Sequence, residues 1–100
     1  AHITGGGLLD NLPRSLPEGL GARIRRDAWP EPSIFGLLQR IGDDISGTEM
    51  FQAFNMGLGM VLIVSPDQAN AALEKLQAEG EKAYFVGEVA DDTDGQVQIV

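Results

Sequence analysis

Apolar residues recur along the chain with two different periods, and the changes of period mark its elements. Ile34, Leu37, Leu38 and Ile41 keep the i, i+3, i+4, i+7 spacing of one helical face. Ser33 stands where an N-cap belongs and Gly42 where a C′ glycine belongs, so a helix is predicted between them. Ala69, Ala72, Leu73 and Leu76 form a second such face. It is opened by Ser65, Pro66 and Gln68 as N-cap, N1 and N3, and closed by Gly80. Between the two, Ser46 and Glu49 make an S-x-x-E capping box. It introduces a short helix from Gly47 to Phe54 with Met50, Phe51 and Phe54 on its apolar side.

The strands show the other period. Ala22-Arg23-Ile24-Arg25 alternates apolar and charged residues, as a half-exposed strand does. Trp29-Pro30-Glu31-Pro32 ends it, because two prolines remove ladder donors. Gly57 to Val64 is a continuous apolar run, the pattern of a strand buried on both faces. Residues 83–89 and 96–100 read as two further strands around an acidic turn at 90–95. Residues 1–19 are rich in glycine and proline and read as a structured loop with a short helix at about 6–11, where Pro13 disfavours a helical Leu12. The order loop–β–α–α–β–α–β–β predicts an α+β domain, with helices packed on a mostly antiparallel mixed sheet.

Composition narrows the function classes. The chain has 100 residues, 43% of them apolar, enough for one domain with a thin core. It contains no cysteine, so disulfides, thiolate nucleophiles and cysteine metal sites are excluded. A single histidine excludes a multi-histidine metal site. No apolar run approaches the ~20 residues of a membrane span, and no secretory signal pattern is present, which points to the cytoplasm. The first residue is Ala1 rather than Met, and the abrupt start suggests a piece of a longer protein.

The formal charge is −8, but unevenly spread. Residues 1–40 carry five arginines against four acids, and residues 41–100 carry two lysines against eleven. An acidic chain without a basic tract is a poor nucleic-acid binder. If the chain binds an anion, its first part is the place.

Two segments bear chemistry. In His2-Ile3-Thr4-Gly5-Gly6-Gly7 the glycines can bring backbone N–H groups close to a ligand, and a helix starting there favours a phosphate. Thr4 offers a hydroxyl, Arg14 a charge-assisted clamp, and His2 an acid, base or hydrogen-bond donor. A flexible turn with a buried, satisfied histidine explains the same residues. No G-K-[ST] follows, so this is not a Walker loop. In Phe54-Asn55-Met56-Gly57-Leu58-Gly59-Met60 the glycines permit close backbone approach and Asn55 supplies an amide, while a helix-to-strand turn explains the pattern equally. Asp43-Asp44, and Asp91-Asp92 with Asp94, lack the ligand array of a calcium loop and read as solvated turns. Arg23 and Arg25 read as an exposed strand face, and Trp29 as a core or interface anchor.

Taken together, the segments resemble the C-terminal domain of the phosphoribosylformylglycinamidine cyclo-ligases, also called aminoimidazole ribonucleotide synthetases. His2 to Leu8, Asn11-Leu12-Pro13-Arg14, Leu16-Pro17, Trp29-Pro30, Ile34-Phe35-x-x-Leu38-Gln39, Glu49-Met50-Phe51, Phe54 to Met60 and Ala83-Tyr84-x-x-Gly87 occur in the family's order. The resemblance runs to about residue 90. It implies a single partial domain over residues 1–100, with the N-terminal ATP-binding domain and the first part of the C-terminal domain absent.

The family closes the imidazole ring in purine biosynthesis. ATP, supported by Mg2+, activates the amide oxygen of formylglycinamidine ribonucleotide, an amine of the same molecule attacks, and phosphate leaves. By position, His2 and Thr4 become the candidate catalytic residues. Gly5, Gly6, Gly7, Asn11, Arg14, Asn55 and Gly57 become the candidate substrate-binding residues, and no metal ligand is expected. The implied parent is a homodimeric cytoplasmic ligase. The 100 residues alone are expected to be inactive and to bind neither ATP nor Mg2+. A non-catalytic binding module derived from this domain is the alternative reading.

Overall fold

The computed structural model describes residues 1–42, 45–92 and 94–100. Its sheet has β1 (Leu20–Ile24) at the centre, β2 (Gly87–Asp91) antiparallel on one side and β3 (Val97–Ile99) parallel on the other. The alternation of β1 is the reason it occupies the middle. Ala22 and Ile24 point into the core, and Arg23 points out, where it meets Glu88 at 3.9 Å across the ladder. Both side chains of that pair are well exposed, so it contributes little. β2 begins at Gly87 rather than at residue 83. β1 runs out at Ile24 and gives way to a 3-10 turn at Arg26–Ala28, so Tyr84 and Phe85 have no ladder partner and are exposed. Past the strand, the Arg25 N–H still reaches Val86 O at 2.7 Å. The acidic turn after β2 is closed by Asp92, whose carboxylate accepts the Asp94 N–H; Thr93 lies outside the described residues, as do Asp43 and Asp44.

Among the described residues, four helices accompany the sheet: α1 (Gly7–Asn11), α2 (Ser33–Ile41), α3 (Gly47–Ala53) and α4 (Pro66–Ala78). The core is built mainly from α1, α3 and β1. Leu8, Leu12, Met50, Phe51 and Met56 are its largest fully buried side chains, and Ile3, Ile24, Trp29 and Val97 complete it. Trp29 is buried and meets the Phe51 ring edge-on, with centroids 6.5 Å apart, which makes it a core anchor. Leu12 is helical despite the following proline, because Pro13 opens a 3-10 turn (Pro13–Ser15) at a position where its missing N–H costs nothing.

The helix ends depart from expectation in instructive ways. Ser46 caps α3 as predicted, its hydroxyl accepting the Glu49 N–H at 3.2 Å. Ser65 sits at the N-cap of α4 but makes no side-chain cap bond. α2 starts one residue early, with Pro32 at the N-cap position, and Gly42 is its C-cap with φ −84° rather than a left-handed C′ residue. α4 ends in a Schellman arrangement. Gly80 is left-handed at φ 86°, Gly80 N–H donates to Gln77 O, and Glu81 N–H donates to Leu76 O.

Two apolar surfaces are less buried than the sequence predicts. Ile34, Leu37 and Ile41 of α2 are exposed, and the helix packs instead through Phe35, whose ring lies 5.7 Å from that of Phe54. The run Gly57–Val64 does not form a regular strand. Only Met60 pairs, in an isolated antiparallel bridge to His2. A strand buried on both faces needs neighbours on each side, and here, among the described residues, only residues 1–3 pair with it.

Candidate functional site

The two chemistry-bearing segments, more than forty residues apart in sequence, lie side by side. Residues 1–3 run antiparallel to residues 59–61. Ala1 N donates to Val61 O at 2.6 Å, Val61 N–H donates to Ala1 O at 2.8 Å, and Ile3 N–H donates to Gly59 O at 2.8 Å. His2, at the bridge opposite Met60, is exposed, not the buried histidine that one reading of the sequence allowed.

After Ile3 the chain turns through the glycines, with Gly7 N–H donating to Thr4 O at 2.9 Å and Gly6 and Gly7 both at positive φ. Gly7 is irreplaceable here. A Cβ on it would fall inside the contact radius of the Phe51 carbonyl oxygen, so the loop seats directly on the end of α3. Gly5 has open space around its Cα, whereas Gly6 carries the Asp10 side chain against it. Among the described residues, the N–H groups of Gly5 and Gly6 donate to no backbone acceptor.

Asn11 holds this loop in shape. It is 5% exposed, and its Nδ2 donates to Gly7 O at 2.8 Å and to Thr4 O and Gly5 O at 3.2 Å each. Its Oδ1 accepts the Thr4 hydroxyl at 3.2 Å. The amide is therefore fully engaged inside the protein, and the Thr4 hydroxyl hydrogen is spent on it. Arg14 is exposed on the 3-10 turn and has no ion pair among the described residues.

The second segment is shaped by a sharp turn. Asn55 Oδ1 accepts the Gly57 N–H at 2.9 Å, Leu58 N–H donates to Asn55 O at 3.0 Å, and Met56 is held at φ 54°. The Trp29 indole fixes this strained residue by donating to Met56 O at 2.9 Å in the interior. Gly57, at φ 100°, is pressed on Pro32, where a Cβ would come within 2.6 Å of the proline ring.

An open, mostly apolar groove of about 900 Å³ runs beside this contact, lined among others by His2, Trp29, Gly57, Met60, Leu76 and Tyr84. Of the residues predicted from sequence, His2 and Gly57 line it. Thr4, Gly5, Gly6, Gly7, Asn11, Arg14 and Asn55 do not. From the sequence Trp29 reads as a core or interface anchor, Leu76 as part of a helical face and Tyr84 as a strand residue, since the groove arises only where α4 and the chain after it approach residues 57–62. Among the described residues there is no group of three histidine or acidic side chains that could hold a metal ion. Arg26 is engaged elsewhere, paired with Glu31 at 3.4 Å and lying 5.3 Å over the Phe51 ring.

Residues 1–100 match the family described as AIR synthase related protein, C-terminal domain. The chain belongs to that family. Proteins named phosphoribosylformylglycinamidine cyclo-ligase are similar to it along its length. That of Desulfitobacterium hafniense is 53% identical over 95 residues, 95% of this chain and 28% of the relative. That of Bordetella petrii is 50% identical over 100 residues, all of this chain and 28% of the relative. That of Bifidobacterium animalis subsp. lactis is 48% identical over 99 residues, 99% of this chain and 28% of the relative. The chain thus spans less than a third of the length of the curated relatives it matches. In this AIR synthase C-terminal domain the strand leading into the glycine loop lies against the chain that leaves the Asn55 turn, and among its described residues no helix is long and apolar enough to cross a membrane.

Proposed function

We propose that this domain forms the substrate-facing wall of a phosphoribosylformylglycinamidine cyclo-ligase, an ATP-dependent enzyme that closes the imidazole ring of formylglycinamidine ribonucleotide in purine biosynthesis. The observation that carries this reading is the antiparallel contact of His2–Ile3 with Gly59–Met60, in a chain about half identical to proteins of that name. In this reading ATP and Mg2+ belong to the N-terminal part of the longer protein. The whole enzyme is then a cytoplasmic homodimer, and this domain alone is inactive.

The chain's own residues divide into contact and support. His2 is exposed at the groove, placed to give a hydrogen bond or move a proton. The Gly5 and Gly6 N–H groups are the donors for the ribonucleotide's 5′-phosphate, and Arg14 is a second charge within the same segment. Thr4 and Asn11 act one step back. Their mutual hydrogen bonds hold the loop, so Asn11 is a positioning residue rather than a substrate ligand. Asn55 and Gly57 shape the adjoining turn. Because both reacting groups sit in one substrate molecule, holding it in one conformation is a large part of the work asked of such a wall.

The test is a two-dimensional amide NMR titration of the chain with the ribonucleotide and, separately, with Mg-ATP. Shifts at His2, Gly5, Gly6 and Asn55 with the ribonucleotide, and none with Mg-ATP, are expected. A folded spectrum unmoved by the ribonucleotide, both alone and after adding the separately expressed N-terminal part of a relative, would refute the assignment.

A further inference from the structure

We propose that the edge Leu62–Val64 is a docking strip for an extended segment lying immediately upstream of Ala1 in the longer protein, continuing the ladder that residues 1–3 begin. Ala1 and Val61 exchange two hydrogen bonds, which makes them a hydrogen-bonded antiparallel pair. His2 and Met60 are the next, non-hydrogen-bonded pair, and Ile3 with Gly59 follows in alternation. The register therefore extrapolates without freedom. The residue one before Ala1 faces Leu62 in a non-hydrogen-bonded pair, and the residue two before it exchanges hydrogen bonds with Ile63. The Ala1 ammonium already stands where a ladder N–H would stand.

The strip asks for such a cover. Leu62, Ile63 and Val64 are 57%, 41% and 44% exposed, so beyond Val61 both faces of the apolar run are open to water. Its backbone edge beyond Val61 is unpaired among the described residues, and an exposed, flat, hydrophobic edge recruits another strand. The occupant is set by length and geometry. This chain is 28% of the Bordetella petrii relative, yet the match covers every residue from Ala1 to Val100. The nearest polypeptide to the strip is whatever joins Ala1, and its direction is already antiparallel.

The experiment extends the chain at its N-terminus by the ten residues that precede the matched region in the Bordetella petrii protein. Amide hydrogen exchange is then compared with that of the 100-residue chain. The Ile63 amide is expected to slow by at least about 100-fold, with smaller changes at Leu62 and Val64, whose N–H groups face the other edge. An Hα–Hα cross-peak between Leu62 and the residue just before Ala1 is expected alongside it. Protection of Leu62 and Val64 without Ile63, or no protection in a folded extended chain, would overturn the proposal. So would Ile63 protection that appears only as the concentration of the unextended chain rises, which would make a second copy the occupant.

Discussion

Replacing Asn11 by alanine removes the clamp on the Thr4–Gly7 loop, and its cost can be worked out bond by bond. Two amide hydrogens serve three carbonyls, one at 2.8 Å and two at 3.2 Å. The two long contacts share what one good bond supplies, so about two net hydrogen bonds are lost, roughly 1–3 kcal/mol. The Thr4 hydroxyl is exposed and turns to water at little cost. With a urea slope of about 1.5 kcal/mol/M for a chain this size, the unfolding midpoint falls by about 0.7–2 M. Trp29 is the assay, since it is the only tryptophan and is buried beside the Met56 turn. A midpoint shift below about 0.3 M would refute the reasoning, because that slope makes it less than half a kcal/mol. Asn11→Asp separates donor loss from volume loss. It keeps the shape but presents a carboxylate to three carbonyl oxygens, so it is worse than alanine at neutral pH. Burial among those dipoles raises its folded pKa above the unfolded value. Stability tied to a raised pKa is fully present below the unfolded pKa and is lost as pH rises through the folded one. The aspartate variant therefore recovers toward about pH 4, while the alanine variant does not follow it.

Glycine positions in the loop differ sharply. Gly7→Ala, blocked by the Phe51 carbonyl, lowers stability by more than about 2 kcal/mol, whereas Gly5→Ala, with open space around it, stays within about 0.5 kcal/mol; urea midpoints read both. Ser46→Ala removes an observed cap bond and costs about 1 kcal/mol, while Ser65→Ala removes none and costs less than half of that, by thermal or urea unfolding. Asp10 lies against Gly6, so its charge opposes an anion at the loop. Asp10→Asn should tighten ribonucleotide binding by a few-fold, about 0.5–1 kcal/mol in a calorimetric titration, and unchanged or weaker binding would move the phosphate elsewhere.

Much of the local structure was legible because it rests on local chemistry. The S-x-x-E box at Ser46 and Glu49 places the start of α3 correctly, and the alternation around Ile24 finds β1 and its exposed arginine face. Gly80 closes α4 as expected. The site was legible as two segments but not as one place. Nothing in the spacing of His2-Ile3-Thr4 or of Asn55-Met56-Gly57 says that they share a ladder, since that contact is made across the fold. Asn11 shows the same limit in one residue. The resemblance offers it as a substrate-binding residue, while burial and three carbonyl partners, visible only in the fold, show its amide holding the loop.

The misreadings have a common physical origin. Gly57–Val64 carries the composition of a strand covered on both faces, and Ile34, Leu37 and Ile41 carry the spacing of a buried helical face. Both patterns describe surroundings rather than backbone preference, because propensity alone favours Val and Ile in any half-buried strand. In this chain Met60, Leu62, Ile63 and Val64 of the first set, and Ile34, Leu37 and Ile41 of the second, face water, while Leu58 and Val61 pack against the core. Three or more large apolar residues exposed together on each of two elements exceed what a self-sufficient surface usually carries. In the docking proposed above, the first of these surfaces belongs to polypeptide upstream of Ala1, and the relatives are more than three times as long as this chain. The ladder at residues 1–3 says how the first of the two is met. For α2 the chain gives the face without the direction of approach, and the same exchange comparison on the extended chain separates them. Protection that reaches Ile63 while the α2 face around Ile34, Leu37 and Ile41 stays as open as before shows that the docking strand does not cover α2.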